Sequence, residues 1–133
     1  MLERLSFTYI VQETVVRIEE QTDYPCLDFL PLRGEGAYFA LETDEQEDVD
    51  SKTAWKTAYR YFIHAYAPTK AVLYAMIEQA EVSLRTKIAL PPGYDIERQA
   101  GAGKQKMEML AEDQFHAKIG FETVILHGDK MNF

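Results

Sequence analysis

AWKTAYRYFIHAY, residues 54–66, is the longest stretch of the chain that alternates as a β-strand should. Side chains of a strand point to opposite faces in turn, so Trp55, Tyr59, Tyr61 and Ile63 fall on one side. Lys56, Arg60 and His64 mark the other, interrupted by Phe62. From Trp55 to Tyr66 such a strand extends about 40 Å at ~3.3 Å per residue, about twice the usual length. A strand of that reach overhangs a small core unless something else covers its end. Pro68 stops it, and the residues on either side must supply what it packs against.

Downstream, Thr69 is placed to cap a helix. TKAVLYAMIEQAEVSLRTKI, 69–88, then sets Leu73, Ile77, Ala80, Leu84 and Ile88 on one stripe with good helix formers between them. ALPPG ends that helix. YDIERQAGAGKQKMEML, 94–110, reads as a hairpin with QAGAGKQ as its tip. FHAKIGFETVIL, 115–126, alternates again, with Phe115, Ala117, Ile119, Phe121 and Ile125 against His116, Lys118 and Glu122.

Upstream, LETDEQEDVDSKTAW, 41–55, crowds Asp44, Glu45, Glu47, Asp48 and Asp50 into what reads as a loop. Before it lie AYFALET, with Ala37, Phe39 and Leu41 on one face, the turn-rich PLRGEG at 31–36, and the short extended CLDFL at 26–30. The first segment, ERLSFTYIVQETVVRIEEQ, carries Phe7, Ile10, Val11, Val15 and Ile18 at helical spacing. The order is helix, strands, helix, strands, joined by short turns. It implies an α+β fold: an antiparallel β-sheet with two α-helices packed on one face, in one domain over residues 1–133.

Composition narrows the function classes. A chain of 133 residues with 47% hydrophobic and 27% charged residues is of ordinary globular make-up. No apolar run approaches the ~20 residues that cross a bilayer, and MLERLSFTYI lacks the basic-then-apolar order of a signal peptide. Cys26 is the single cysteine, so no internal disulfide forms, and its neighbours offer no base to activate it; a packing role is expected. The net charge of −8 argues against wrapping nucleic acid, which wants clustered Lys and Arg. It is compatible with a surface past which DNA slides without sticking.

Sites for chemistry are sparse. Asp48 and Asp50 provide one alternate pair of acids, but Ser51 to Trp55 supply neither the Gly nor the distal Glu of a calcium-binding EF-hand loop. GAGK, 101–104, lacks the earlier Gly of a phosphate-binding loop, since Arg98 stands there, and Gln105 replaces the following Ser or Thr. His64, His116 and His127 show no paired ligand spacing, although His64 and His116 could meet across neighbouring strands as an exposed pair. Ser6, Ser51 and Ser83 sit in no nucleophile elbow. The sequence therefore predicts no catalytic residues, no metal and no cofactor. The acids of 44–50 remain open between plain solvation and a partner-facing surface. Trp55, Tyr61 and Tyr66 are candidate subunit contacts, since aromatic residues are enriched at interfaces.

The succession PLRGEGAYFALET, an acid-bearing stretch, TAWKTAYRYFIHAYA, AVLYAMIEQAEVSL and a closing HAKIGFETVIL resembles the bacteriophage tail-terminator and head–tail joining (tail-completion, neck) proteins. The likeness runs over roughly residues 2–127 and is one of order and pattern, with 94–109 departing from it. It implies a structural virion or prophage protein and no enzyme. Such a protein forms a ring, commonly a hexamer, at the end of the tail tube and joins the tail to the head connector. The implied partners are itself, tail-tube and head-connector proteins, with DNA passing through and no membrane. The implied location is the virion, and the host bacterial cytoplasm during assembly. Asp44, Glu45, Glu47, Asp48 and Asp50 would then face the channel or a docking partner. The alternatives are a small bacterial ligand-binding or regulatory α+β domain, which needs convergent polar groups in a pocket, and an enzyme assembled from scattered residues.

Overall fold

A computed structural model describes residues 2–31 and 36–130, with the side chain of Lys104 left aside. Most of the turn-rich stretch expected at 31–36 lies outside the described residues. The first helix, α1, is Phe7–Gln21. Ser6 caps it: the Ser6 hydroxyl accepts from the Tyr9 amide, satisfying one of the orphan donors of the first turn. Its most buried line is Ile10, Thr14 and Ile18, spaced by four. Thr14 is tolerated there because its hydroxyl donates to the Ile10 carbonyl at 2.7 Å. Phe7, Val11 and Val15 flank that line partly buried, which places the expected stripe correctly.

Among the described residues five strands follow: β1 (Cys26–Leu27), β2 (Tyr38–Asp48), β3 (Ala54–Ala67), β4 (Asp95–Ala111) and β5 (Gln114–Asp129). The second helix, α2 (Lys70–Ser83), lies between β3 and β4 in the chain. The sheet order is β1-β2-β3-β5-β4. Every pairing is antiparallel except the short β1–β2 pair, which is parallel. The fold is α+β with a mostly antiparallel sheet.

Alternation along the strands builds the core. Phe39 and Leu41 of β2, Tyr61, Ile63 and Ala65 of β3, and Ala117, Ile119 and Phe121 of β5 form one buried cluster. Register explains it, because Leu41, Ile63 and Ile119 stand in one row and Tyr61 stands opposite Phe121. Ile18 of α1 and Leu73, Met76, Ile77 and Ala80 of α2 complete the cluster. Burying each large side chain contributes about 1.5–3 kcal/mol. Thr69 caps α2 as the sequence predicts, accepting from the Val72 amide.

Four expectations are corrected. The acidic stretch is not a loop as far as Asp48: β2 runs through it, because β3 offers a ladder and Arg60 stands opposite Glu45. Only Asp50 lies in the connection to β3. The hairpin expected within 94–110 is one strand, β4, and QAGAGKQ is a register irregularity between Gly101 and Gln105. The turn comes later, at Glu112 and Asp113, because β5 is long enough to pair with β4 throughout. Helix α2 stops at Ser83, before Leu84 and Ile88. The side chain of Gln99 then serves the irregular backbone, donating to the carbonyls of Leu84 and Thr86 and accepting from the Ile88 amide. Ile88 joins a second cluster with Ile10, Tyr59, Ile96 and Ile125.

The fourth correction concerns the long strand itself. β3 has its 14 residues, yet it does not overhang. β2 pairs with it from Thr57 to Tyr66 on one side, and β5 from Ala54 to Ala67 on the other. Its length is sheltered inside the chain, so strand length alone gives no argument for a covering neighbour.

Candidate functional site

The face of the sheet opposite the apolar cluster carries the polar side chains of every second residue. On β3 these are Lys56, Arg60 and His64, with Phe62 and Tyr66 between and beyond them; on β5, His116, Lys118 and Glu122. Cross-strand neighbours here are charged partners or stacked rings, the two contacts that stabilise such pairs.

Arg60 is the hub of the lower half. Its Nη1 lies 2.6 Å from Glu47 and 3.3 Å from Glu45, and its Nε lies 2.8 Å from Glu122. The hydrogen bond from Arg60 holds the Glu47 carboxyl below the usual range, and Glu47 and Glu122 raise Arg60 above its own. Arg98 approaches Glu122 from β4 at 3.7 Å, and Lys56 pairs with Glu97 at 2.6 Å.

The upper half is built from rings. His64 Nδ1 and His116 Nε2 are 2.7 Å apart, His116 Nδ1 is 3.0 Å from Glu108, and His64 Nε2 is 3.3 Å from Glu42. With one N–H on each neutral ring, two of these three contacts carry a hydrogen at a time, and the tautomers decide which. Burial pushes His64 below its ordinary value, opposed by the hydrogen bond to Glu42. Lys118 stands 3.6 Å from Glu42 and 4.1 Å from the centre of the Phe62 ring. Tyr66 stacks between Tyr38 at 4.8 Å and His116 at 4.7 Å. The His64–His116 meeting is as the sequence suggested, but both rings are buried rather than exposed.

The sequence-selected acids separate by partner. Glu45 and Glu47 pair with Arg60, Asp48 pairs with Arg4 at 2.9 Å, and Asp50 accepts from the Lys56 amide at 2.8 Å, closing the β2–β3 turn. Asp44 is exposed at the register shift between Thr43 and Glu45. Of the three aromatic candidates, Tyr61 is corrected. It is 2% exposed, bonded to Thr123 at 3.3 Å and stacked on Phe121, so no neighbour can reach it. Trp55 is half-buried beneath Lys130, and Tyr66 is half-buried in the ring stack. Burial and the nearby Glu19 and Asp28 push the Cys26 thiol up to about 12, which suits packing and not reactivity.

Sequence reasoning missed Glu42, Glu108 and Tyr38 as members of this face, and missed that Arg60 gathers three acids. The alternation 56, 60, 64 was the available signal; the partners depend on register, which no local pattern carries. Also missed were the exposed apolar residues Phe29, Leu30, Met107, Met109 and Leu110. Among the described residues no group of three His, Cys, Asp or Glu could hold a metal ion. Among them, too, no helix is long and apolar enough to cross a membrane. What the arrangement can do is present charge and stacked rings on a stiff surface.

Residues 1–133 match the profile of a phage tail-terminator family described as "Putative tail termination protein". No curated protein matches the sequence. Among solved structures, the fold is similar to a chain in the virion of a native gene transfer agent particle, with a TM-score of 0.65 and 14% identity. That match covers 87% of this chain and 91% of the other.

Proposed function

The chain belongs to the phage tail-terminator family, and from that premise we propose that it closes into a ring at the end of the tail tube and joins the tail to the head connector. The chain is a structural virion component. It acts as one domain over residues 1–133, with both helices on the apolar face of the sheet and the polar face free to line a channel or meet a partner. It performs no catalysis, and it assembles in the host cytoplasm before it enters the particle. The observation that carries this reading is the family match along the entire chain. The fold's likeness to a virion component supports it. The ion-paired face suits a passage for DNA, since its acids offset its bases and leave no basic stripe to bind phosphate.

Light scattering tests ring formation: the purified protein should run as a species several times 15.3 kDa. Electron microscopy tests the joining role. Particles assembled without the chain should accumulate as separate heads and tails, and normal joined virions would overturn it.

A further inference from the structure

We propose that neighbouring copies join edge to edge, the β4 edge of one pairing antiparallel with the β1–β2 edge of the next, so that one sheet runs on around the ring. The inference rests on the ring reading above and specifies the contact that closes it.

Both edges of the sheet are open. β4 is the last strand on its side, and among the described residues no strand pairs with its outer edge along any of its 17 residues. On the other side β1 pairs only with Phe39 and Ala40, so among the described residues no strand covers the outer edge of β2 from Leu41 to Asp48. Long open edges are templates for another strand, and proteins that keep them usually have a partner for them.

The direction fits a rotation. β2 is antiparallel to β3, β3 to β5 and β5 to β4, so β4 runs opposite to β2. Turning one copy about an axis roughly along the strands brings its β4 beside its neighbour's β2 in antiparallel sense. Height fits as well. Glu47, Ala58, Val124 and Arg98 form one row across the sheet, and Glu45, Arg60, Glu122 and Ala100 form another. The charged residues of Glu42–Asp48 are all acidic, whereas those of Arg98–Lys106 are all basic. Arg98 thus stands level with Glu47 on the opposite edge, where a second copy brings the two charges together, while Lys106 stands in the Ala40 row, just beyond the acids.

Apolar side chains are exposed near both edges as well. Phe39, Ala65, Ala117 and Met107 form a further row. On the β4 edge near it, Met107, Met109 and Leu110 are exposed by 46%, 64% and 49%. On the other edge, Phe29 and Leu30, directly after β1, are exposed by 57% and 39%. The contact is heterologous, so each copy uses both edges once and the series closes when the rotation permits.

Paired cysteines test it. Glu45→Cys with Ala100→Cys, and separately Thr43→Cys with Gly101→Cys, place thiols in shared rows. An added Cβ at Gly101 meets nothing nearer than the Gly120 carbonyl at 3.9 Å. The native Cys26 is buried and stays out of the reaction. Mild oxidation followed by denaturing electrophoresis should give a ladder of trimers and larger multimers that reductant collapses. Each single variant should give none, and neither should Glu45→Cys with Met109→Cys. Light scattering on the same samples separates the two readings. An oligomer with no ladder from either matched pair overturns edge pairing and leaves the ring standing, whereas a persistent monomer overturns both.

Discussion

At His64 a single proton is governed by burial. The ring is 5% exposed and packs among His116, Glu42, Lys118 and Tyr66, with Glu108 and Tyr38 one contact further out. Its folded pKa lies below the ordinary 6.5, with burial the largest cause. As pH falls, the unfolded chain therefore takes up the proton first. The stability that the neutral ring contributes is complete above about pH 6.5 and is lost as pH falls through the lower folded value. Thermal midpoints measured from pH 7 to pH 5 should drop for the native chain, and the drop should be shallower in His64→Gln. An equal slope in both proteins would show that this ring does not set the dependence. The sequence placed His64 and His116 on the polar sides of two alternating strands, where they could meet, which is what periodicity can reveal. It could not reveal their burial, because Tyr38 and Glu42 come from β2 and Glu108 from β4, and their placement depends on register.

Elements were legible to the extent that their signals were local. Helix α2 announced itself through Thr69 and the spacing by four and three of Leu73, Ile77 and Ala80, and α1 through Phe7, Ile10, Val11, Val15 and Ile18. Thr69→Ala removes a bond to the Val72 amide and should cost about 1 kcal/mol in denaturant unfolding; no change would mean that another group takes over the cap. Ile63, fully buried in the central strand, should cost about 2–5 kcal/mol as Ile63→Ala in the same measurement, with a value under ~1 kcal/mol contradicting its place in the core. The outer strands were less legible. Asp and Glu are poor strand formers, so β2 beyond Leu41 looked like a loop; cross-strand pairing with β3 overrides that preference. A cluster of glycines is ordinarily a turn signal, yet in β4 it makes a bulge. Gly103 there has φ +75°, a conformation that costs other residues about 1–2 kcal/mol. Gly103→Val should lower stability by about that amount even though open space surrounds the position. A neutral result would place the bulge elsewhere along β4.

For the whole molecule, the question is what so acidic an edge does once it is strand and not loop. Its acids already have work within the chain: Glu45 and Glu47 hold Arg60, Asp48 holds Arg4, and Asp50 closes a turn. Replacing all five as Asp44→Asn, Glu45→Gln, Glu47→Gln, Asp48→Asn and Asp50→Asn leaves each side chain one oxygen to accept a hydrogen bond while removing the charge. Local geometry should therefore survive, with a circular dichroism spectrum like that of the native protein. Assembly should not be spared if this edge meets the basic stretch of a neighbour. Attraction between exposed opposite charges is screened over about 10 Å at 0.1 M salt, so the native oligomer should weaken as salt rises. The neutral variant should start weaker at low salt and respond little to further salt, because the screened attraction is already gone. Light scattering across a salt series reads both effects on one axis. Equal assembly with an equal salt response in the two proteins would return these acids to the upkeep of their own chain, and the charge argument for edge pairing would fail with it.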